Sequence, residues 1–79
     1  MDKKITLYGT PTCTYCVRAK QFLEANQITF DYIDVSQNQG KAREMIKKSG
    51  QMGVPVIDID GKIIVGFDKS AIEKEIEIQ

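Results

Sequence analysis

The chain has 79 residues, 42% hydrophobic and 28% charged, which suits one small folded domain spanning 1–79 and leaves little room for a large cofactor cavity. Its 11 basic and 11 acidic side chains cancel, so no overall field draws it to nucleic acid or to a membrane surface. No apolar run reaches the length of a signal peptide or a membrane span, and a monomer in the cytoplasm is the expectation.

After Met1-Asp2-Lys3-Lys4, residues 5–8 (Ile5-Thr6-Leu7-Tyr8) read as a first strand. It is apolar apart from Thr6, as a central strand covered on both faces should be. The turn Gly9-Thr10-Pro11-Thr12 follows, then Cys13-Thr14-Tyr15-Cys16, which holds both cysteines of the chain. Beyond it, Cys16, Ala19, Phe22 and Leu23 fall on one stripe of a helix facing a sheet, with Asn26 as the stop. Residues 30–35 mix aromatic and β-branched side chains with Asp31 and Asp34 and read as a second strand. The helix between the two strands makes them parallel, with a right-handed crossover.

A polar loop over 36–40 leads to a second helix over 41–49, with Ala42, Met45, Ile46 and Ser49 in the helical pattern and Gly50 as its cap. That helix is rich in cations (Lys41, Arg43, Lys47, Lys48), while the last helix carries Glu73, Glu75 and Glu77. Both are read as solvated faces, with an interaction patch as the lesser alternative. Residues 55–59 and 62–65 flank Asp60-Gly61, a dipeptide that adopts the positive φ angles of a type I′ hairpin turn. Ser70-Ala71-Ile72-Glu73 has the form of a capping box for the last helix, with Asp68 a competing N-cap, and Ile72 and Ile76 form its buried stripe. The element order is βαβ, then a helix, then ββα. We expect an α/β fold, a four-stranded mixed sheet flanked by three helices.

The two cysteines define the chemistry. At a helix N-terminus, unpaired N–H groups and the helix dipole favour negative charge, so a cysteine there is held as the nucleophilic thiolate. Cys13 is best placed for this. Cys16, on the same helical face, is within reach of disulfide formation. It faces inward, where burial should raise its pKa and make it act second. A structural zinc site needs more Cys or His ligands than the 2 cysteines and 0 histidines present. A zinc or iron–sulfur site shared between two chains stays open, as does a pair of inert buried cysteines.

Tyr8-Gly9-Thr10-Pro11-Thr12-Cys13-Thr14-Tyr15-Cys16-Val17-Arg18-Ala19-Lys20, then Gly53-Val54-Pro55, then Gly66-Phe67, together resemble the glutaredoxin family of the thioredoxin fold over nearly the whole chain. The resemblance implies a thiol-disulfide oxidoreductase that needs no bound cofactor or metal and reduces protein disulfides or glutathione mixed disulfides. The residues alone leave Pro55 either the start of an edge strand or a cis site; the resemblance implies a cis peptide before it, facing the cysteine pair, with the backbone of Val54 offered to an extended substrate segment. It places Tyr15 at the rim over bound peptide or glutathione, and Gly66, Phe67 and Asp68 at the glutathione γ-glutamyl group. Arg18 and Lys20 are read either as supports for thiolate or carboxylate charge or as solvated helix residues.

The chain departs from the family in two places. Thr14 stands where many dithiol members have proline. Val65-Gly66-Phe67-Asp68-Lys69 replaces the usual Gly-Gly-x-Ser/Thr-Asp, putting a lysine where an acidic partner for the glutathione ammonium is expected. The Gly-Phe turn is also similar to glutaredoxin-like electron donors of ribonucleotide reductase, which a thioredoxin-reductase-type flavoenzyme recharges. The expected electron source is therefore glutathione or such a flavoenzyme, and a dimeric iron–sulfur carrier is the rival of a different class.

Overall fold

In a computed structural model of the protein, residues 4–76 are described. Glu77 and Met1–Lys3 lie outside them. Four strands and three helices follow in the expected order: β1 (Ile5–Gly9), α1 (Thr14–Ala25), β2 (Asp31–Asp34), α2 (Gln39–Ser49), β3 (Val56–Ile59), β4 (Lys62–Val65) and α3 (Lys69–Ile76). The sheet order is β2-β1-β3-β4. β1 pairs parallel with β2 and antiparallel with β3, and β3 pairs antiparallel with β4. This is the four-stranded mixed sheet of the thioredoxin fold.

Strand alternation divides the core between the two faces. Ile5, Leu7, Ile57, Ile59 and Ile64 meet Ala19 and Leu23 of α1 and Ile72 of α3 on one face. Tyr8 and Val56 meet Met45 of α2 on the other. β1 is buried at every position, as a central strand must be.

The element ends differ from the sequence reading for local reasons. α2 starts at Gln39, because Asn38 caps it by accepting the Lys41 N–H at 3.0 Å, so the polar loop is shorter than 36–40. β2 covers Asp31–Asp34, with the Val35 N–H still donating to the Gly9 carbonyl at 3.0 Å, while Phe30 packs against the core. β3 starts at Val56, because Pro55 has no N–H to give a ladder. Of the two candidate caps of α3, Asp68 is used: its Oδ1 accepts the Ala71 N–H at 3.1 Å. Asp60 and Gly61 have φ of 53° and 96°, both positive as a type I′ turn requires. Gly50 caps α2 in the left-handed region at φ 76°.

Lys48 is more than a solvated cation. Its Nζ lies 2.7 Å from Asp58 and donates at 2.9 Å to the hydroxyl of Tyr8, which in turn donates to Glu44 at 2.6 Å. This network ties α2 to the sheet. Burial pushes the Asp58 carboxyl up, but Lys48, the Gly61 N–H and the charge of Lys4 outweigh it and leave the group below its ordinary value. A carboxylate lowered in the folded state adds stability above its unfolded pKa, about 4, which is lost as pH falls through the lower folded value. Asp58→Asn is accordingly expected to lower stability at neutral pH and to flatten the acid dependence. Urea midpoints between about pH 7 and about pH 2 check this; a slope equal to that of the wild type would exclude Asp58 as the cause.

Candidate active site

β1 ends at Gly9, and the turn after it delivers Cys13 to the N-cap of α1. Cys13 has extended backbone there (φ −90°, ψ 115°), and its Sγ accepts the Cys16 N–H at 3.2 Å. A sulfur in this position collects the unpaired N–H charge of the first helical turn. Its other neighbour is the Val54 carbonyl, 3.8 Å away, to which the thiol can donate. Cys13 is partly exposed, whereas Cys16 is 1% exposed. Burial first, then the contact with Cys13, push the Cys16 thiol up to about 12, against a smaller opposing pull from the Thr10 backbone. One sulfur therefore faces the outside and the other waits beneath it as a thiol.

The Val54–Pro55 peptide is cis, and Pro55 is buried. The Pro55 carbonyl accepts the Gly66 N–H at 2.8 Å, and Gly66 has φ 80°. Cys13, Cys16, Val54, Pro55 and Gly66 are thereby linked into one region. Tyr15 is 58% exposed, with the Arg18 guanidinium 5.6 Å from its ring centre. Phe67 packs edge-on against Phe22 with ring centres 5.9 Å apart. Asp68 is engaged as the cap of α3, and Lys69 Nζ lies 5.7 Å from the Phe22 ring centre. Lys20 Nζ lies 5.3 Å from the ring centre of Tyr32.

Three contacts here escaped the sequence reading, which placed Gly9 in the turn rather than at the end of β1. A Cβ on Gly9 would stand 3.0 Å from both Cβ and Sγ of Cys16. Tyr32, opposite Leu7 in the sheet, comes close enough to the pair for both sulfurs to help raise its pKa, after burial and Asp34. The Gln51 carboxamide bonds the backbone of Gly53. The parallel register of β2 could have located Tyr32; the other two depend on contacts that residue spacing does not encode. Among the described residues no group of three or more His, Cys, Asp or Glu could hold a metal ion. No helix among them is long and apolar enough to cross a membrane.

The Glutaredoxin family model matches residues 5–64. A glutaredoxin-like 8.6 kDa protein encoded in a rubredoxin operon of Clostridium pasteurianum is 47% identical over 73 residues, covering 92% of this chain and 97% of that one. Glutaredoxin 3 of Escherichia coli K12 is 41% identical over 64 residues, covering 81% and 77%. Among solved structures, the glutaredoxin-like NrdH-redoxin of Escherichia coli, described as having a thioredoxin-like activity profile, superposes with a TM-score of 0.78 at 25% identity, covering 90% of this chain and 92% of that one.

Proposed function

This chain belongs to the glutaredoxin family, thiol-disulfide oxidoreductases in general, and we propose that it reduces protein disulfides and glutathione mixed disulfides through Cys13 and Cys16. The observation that carries this reading is the asymmetry of the pair: Cys13 is the partly exposed cap of α1, and Cys16 is buried and pushed up to about 12.

The steps balance as two exchanges. The Cys13 thiolate attacks one sulfur of the substrate disulfide, forming a mixed disulfide and releasing the other sulfur, which takes a proton as a thiol. Cys16 then loses its proton and attacks Cys13 Sγ. The Cys13–Cys16 disulfide forms and the second substrate thiol leaves. The substrate gains two electrons, and the protein is recharged by an external thiol reductant. Val54, beside Cys13 and ahead of the cis peptide, lends its backbone to the extended substrate segment.

Two reductants compete for the recharging step. Glutathione is the family's usual one, with Tyr15, Gly66, Phe67 and Asp68 as its contacts. A thioredoxin-reductase-type flavoenzyme is favoured by Lys69 in the place of an acidic residue and by the likeness to an NrdH-redoxin. The oxidised protein should be offered glutathione with its reductase and, separately, thioredoxin reductase, each with NADPH. Recharging by either supports the oxidoreductase reading and selects the donor. Recharging by neither, with no disulfide reduction by the chemically reduced protein, would overturn it.

If Lys69 weakens glutathione binding, Lys69→Asp should raise turnover of a glutathionylated peptide. An exposed ion pair is worth about 0.2–1 kcal/mol, so the gain should be at most about fivefold. Asp68→Ala should lower turnover and also cost the helix cap, about 1 kcal/mol. Steady-state rates at fixed pH and ionic strength check both; an unchanged rate in Lys69→Asp would mark Lys69 as irrelevant to glutathione.

A further inference from the structure

Between the end of α2 and Val54, the Gln51 side chain folds back on its own chain. Its Nε2 donates to the Gly53 carbonyl at 3.0 Å, and its Oε1 accepts the Gly53 N–H at 3.0 Å. The carboxamide thus pairs with the backbone of one residue as an adjacent strand would. Behind it, the Ser49 hydroxyl lies 2.8 Å from the Met45 carbonyl and 2.9 Å from that of Gln51, and accepts the Gln51 N–H at 3.3 Å. The segment is anchored stepwise from the last turn of α2.

Gly53 is not among the residues with positive φ, so its conformation does not call for glycine. Its space does: a Cβ there would come within 2.8 Å of Gln51 Oε1. The atom in the way is the end of a flexible side chain. A larger residue would displace the carboxamide at little cost to the fold. Gln51 and Gly53 are therefore a matched pair, and the bare Cα leaves the room that the amide uses. The next residue presents the Val54 carbonyl to the Cys13 thiol at 3.8 Å, while the Val54 N–H has no partner among the described residues.

We propose that Gln51 is a positioning residue for peptide disulfides. It occupies both main-chain groups of Gly53 and holds the segment so that Val54 alone receives the substrate backbone beside Cys13. This rests on the oxidoreductase reading and adds a specificity element to it. A small disulfide has no peptide backbone and does not need the clamp.

Reduction of a disulfide-bonded peptide and of 5,5′-dithiobis(2-nitrobenzoate) should be compared in the wild type, Gln51→Ala, Gly53→Ala and the double variant. Each single change is expected to raise KM for the peptide by about three- to tenfold, the scale of one or two lost hydrogen bonds, with kcat unchanged. The small disulfide should react within about twofold of the wild-type rate, and the double variant should be no worse than either single one. Gln51→Glu keeps the acceptor for the Gly53 N–H but loses the donor, and should fall between. An unchanged peptide KM, equal losses on both substrates, or additive losses in the double variant would overturn the proposal. If the wild type reduced neither disulfide, the oxidoreductase reading would fail instead.

Discussion

Cys13→Ser is expected to bring disulfide reduction down to the uncatalysed rate, whereas Cys16→Ser should keep the first exchange and stall as a stable mixed disulfide through Cys13. The two sulfurs differ in place before they differ in chemistry. Cys13 receives the Cys16 N–H at 3.2 Å and reaches solvent. Cys16, buried and pushed up to about 12, stays a protonated thiol at neutral pH. Alkylation of the reduced protein near neutral pH should therefore modify Cys13 alone.

The contributions to that shift also explain how Cys16 enters the second step. After burial, the next contribution is its contact with Cys13, and the negative charge of Cys13 adds to it. Once Cys13 is tied up in a mixed disulfide, its negative charge no longer opposes ionisation of Cys16, while burial remains. Forming the intermediate thus makes Cys16 easier to ionise, next to the sulfur it must attack. In protein carrying a methyl disulfide on Cys13, captured before ring closure by rapid mixing, closure should become half-maximal at a lower pH than Cys16 titration in the reduced protein. Mass spectrometry of quenched samples checks the trapped species and the order of labelling. Preferential alkylation of Cys16, or a Cys16→Ser variant that still completes protein-disulfide reduction, would reverse the assignment.

Much of this was legible in the chain. The apolar stripe of α1, the Asp60-Gly61 turn and the parallel β1–β2 pair follow from periodicity, turn chemistry and handedness, each a local rule. The cysteine spacing and its place after a strand carried the chemistry. Legibility failed where two distant segments share space. Nothing in the second strand marks Tyr32 as a neighbour of the cysteines until its register against Leu7 is known. Lys48 reads as one of several helix cations until Asp58 and Tyr8 arrive from the sheet. The substitution of Lys69 for an acidic residue was readable, but its position over Phe22 was not.

Gly9→Val is expected to destabilise the protein and disturb the redox pair, because Gly9 is where β1 passes directly under Cys16. Gly9 does not have positive φ, so space is what requires the glycine. Its missing Cβ would lie 3.0 Å from both Cβ and Sγ of Cys16 and 3.5 Å from Cε1 of Tyr32. Relief would require α1 to lift, yet Ala19 and Leu23 on the same helix are 0% exposed and packed on the sheet. Removing a glycine stiffens the unfolded chain and adds about 0.4–1 kcal/mol of stability. Overpacking a filled core costs about 1–3 kcal/mol, so the loss wins, narrowly for alanine and clearly for valine. Gly9→Ala should lose about 1 kcal/mol and Gly9→Val about 2 kcal/mol or more. Because the crowded atoms belong to Cys16, both changes should also shift the equilibrium between dithiol and disulfide. Urea midpoints of the reduced and oxidised forms, with the reduction potential measured against a glutathione buffer, read both effects. If Gly9→Val unfolds at the wild-type midpoint and titrates at the wild-type potential, the close approach of β1 to Cys16 places no constraint on either.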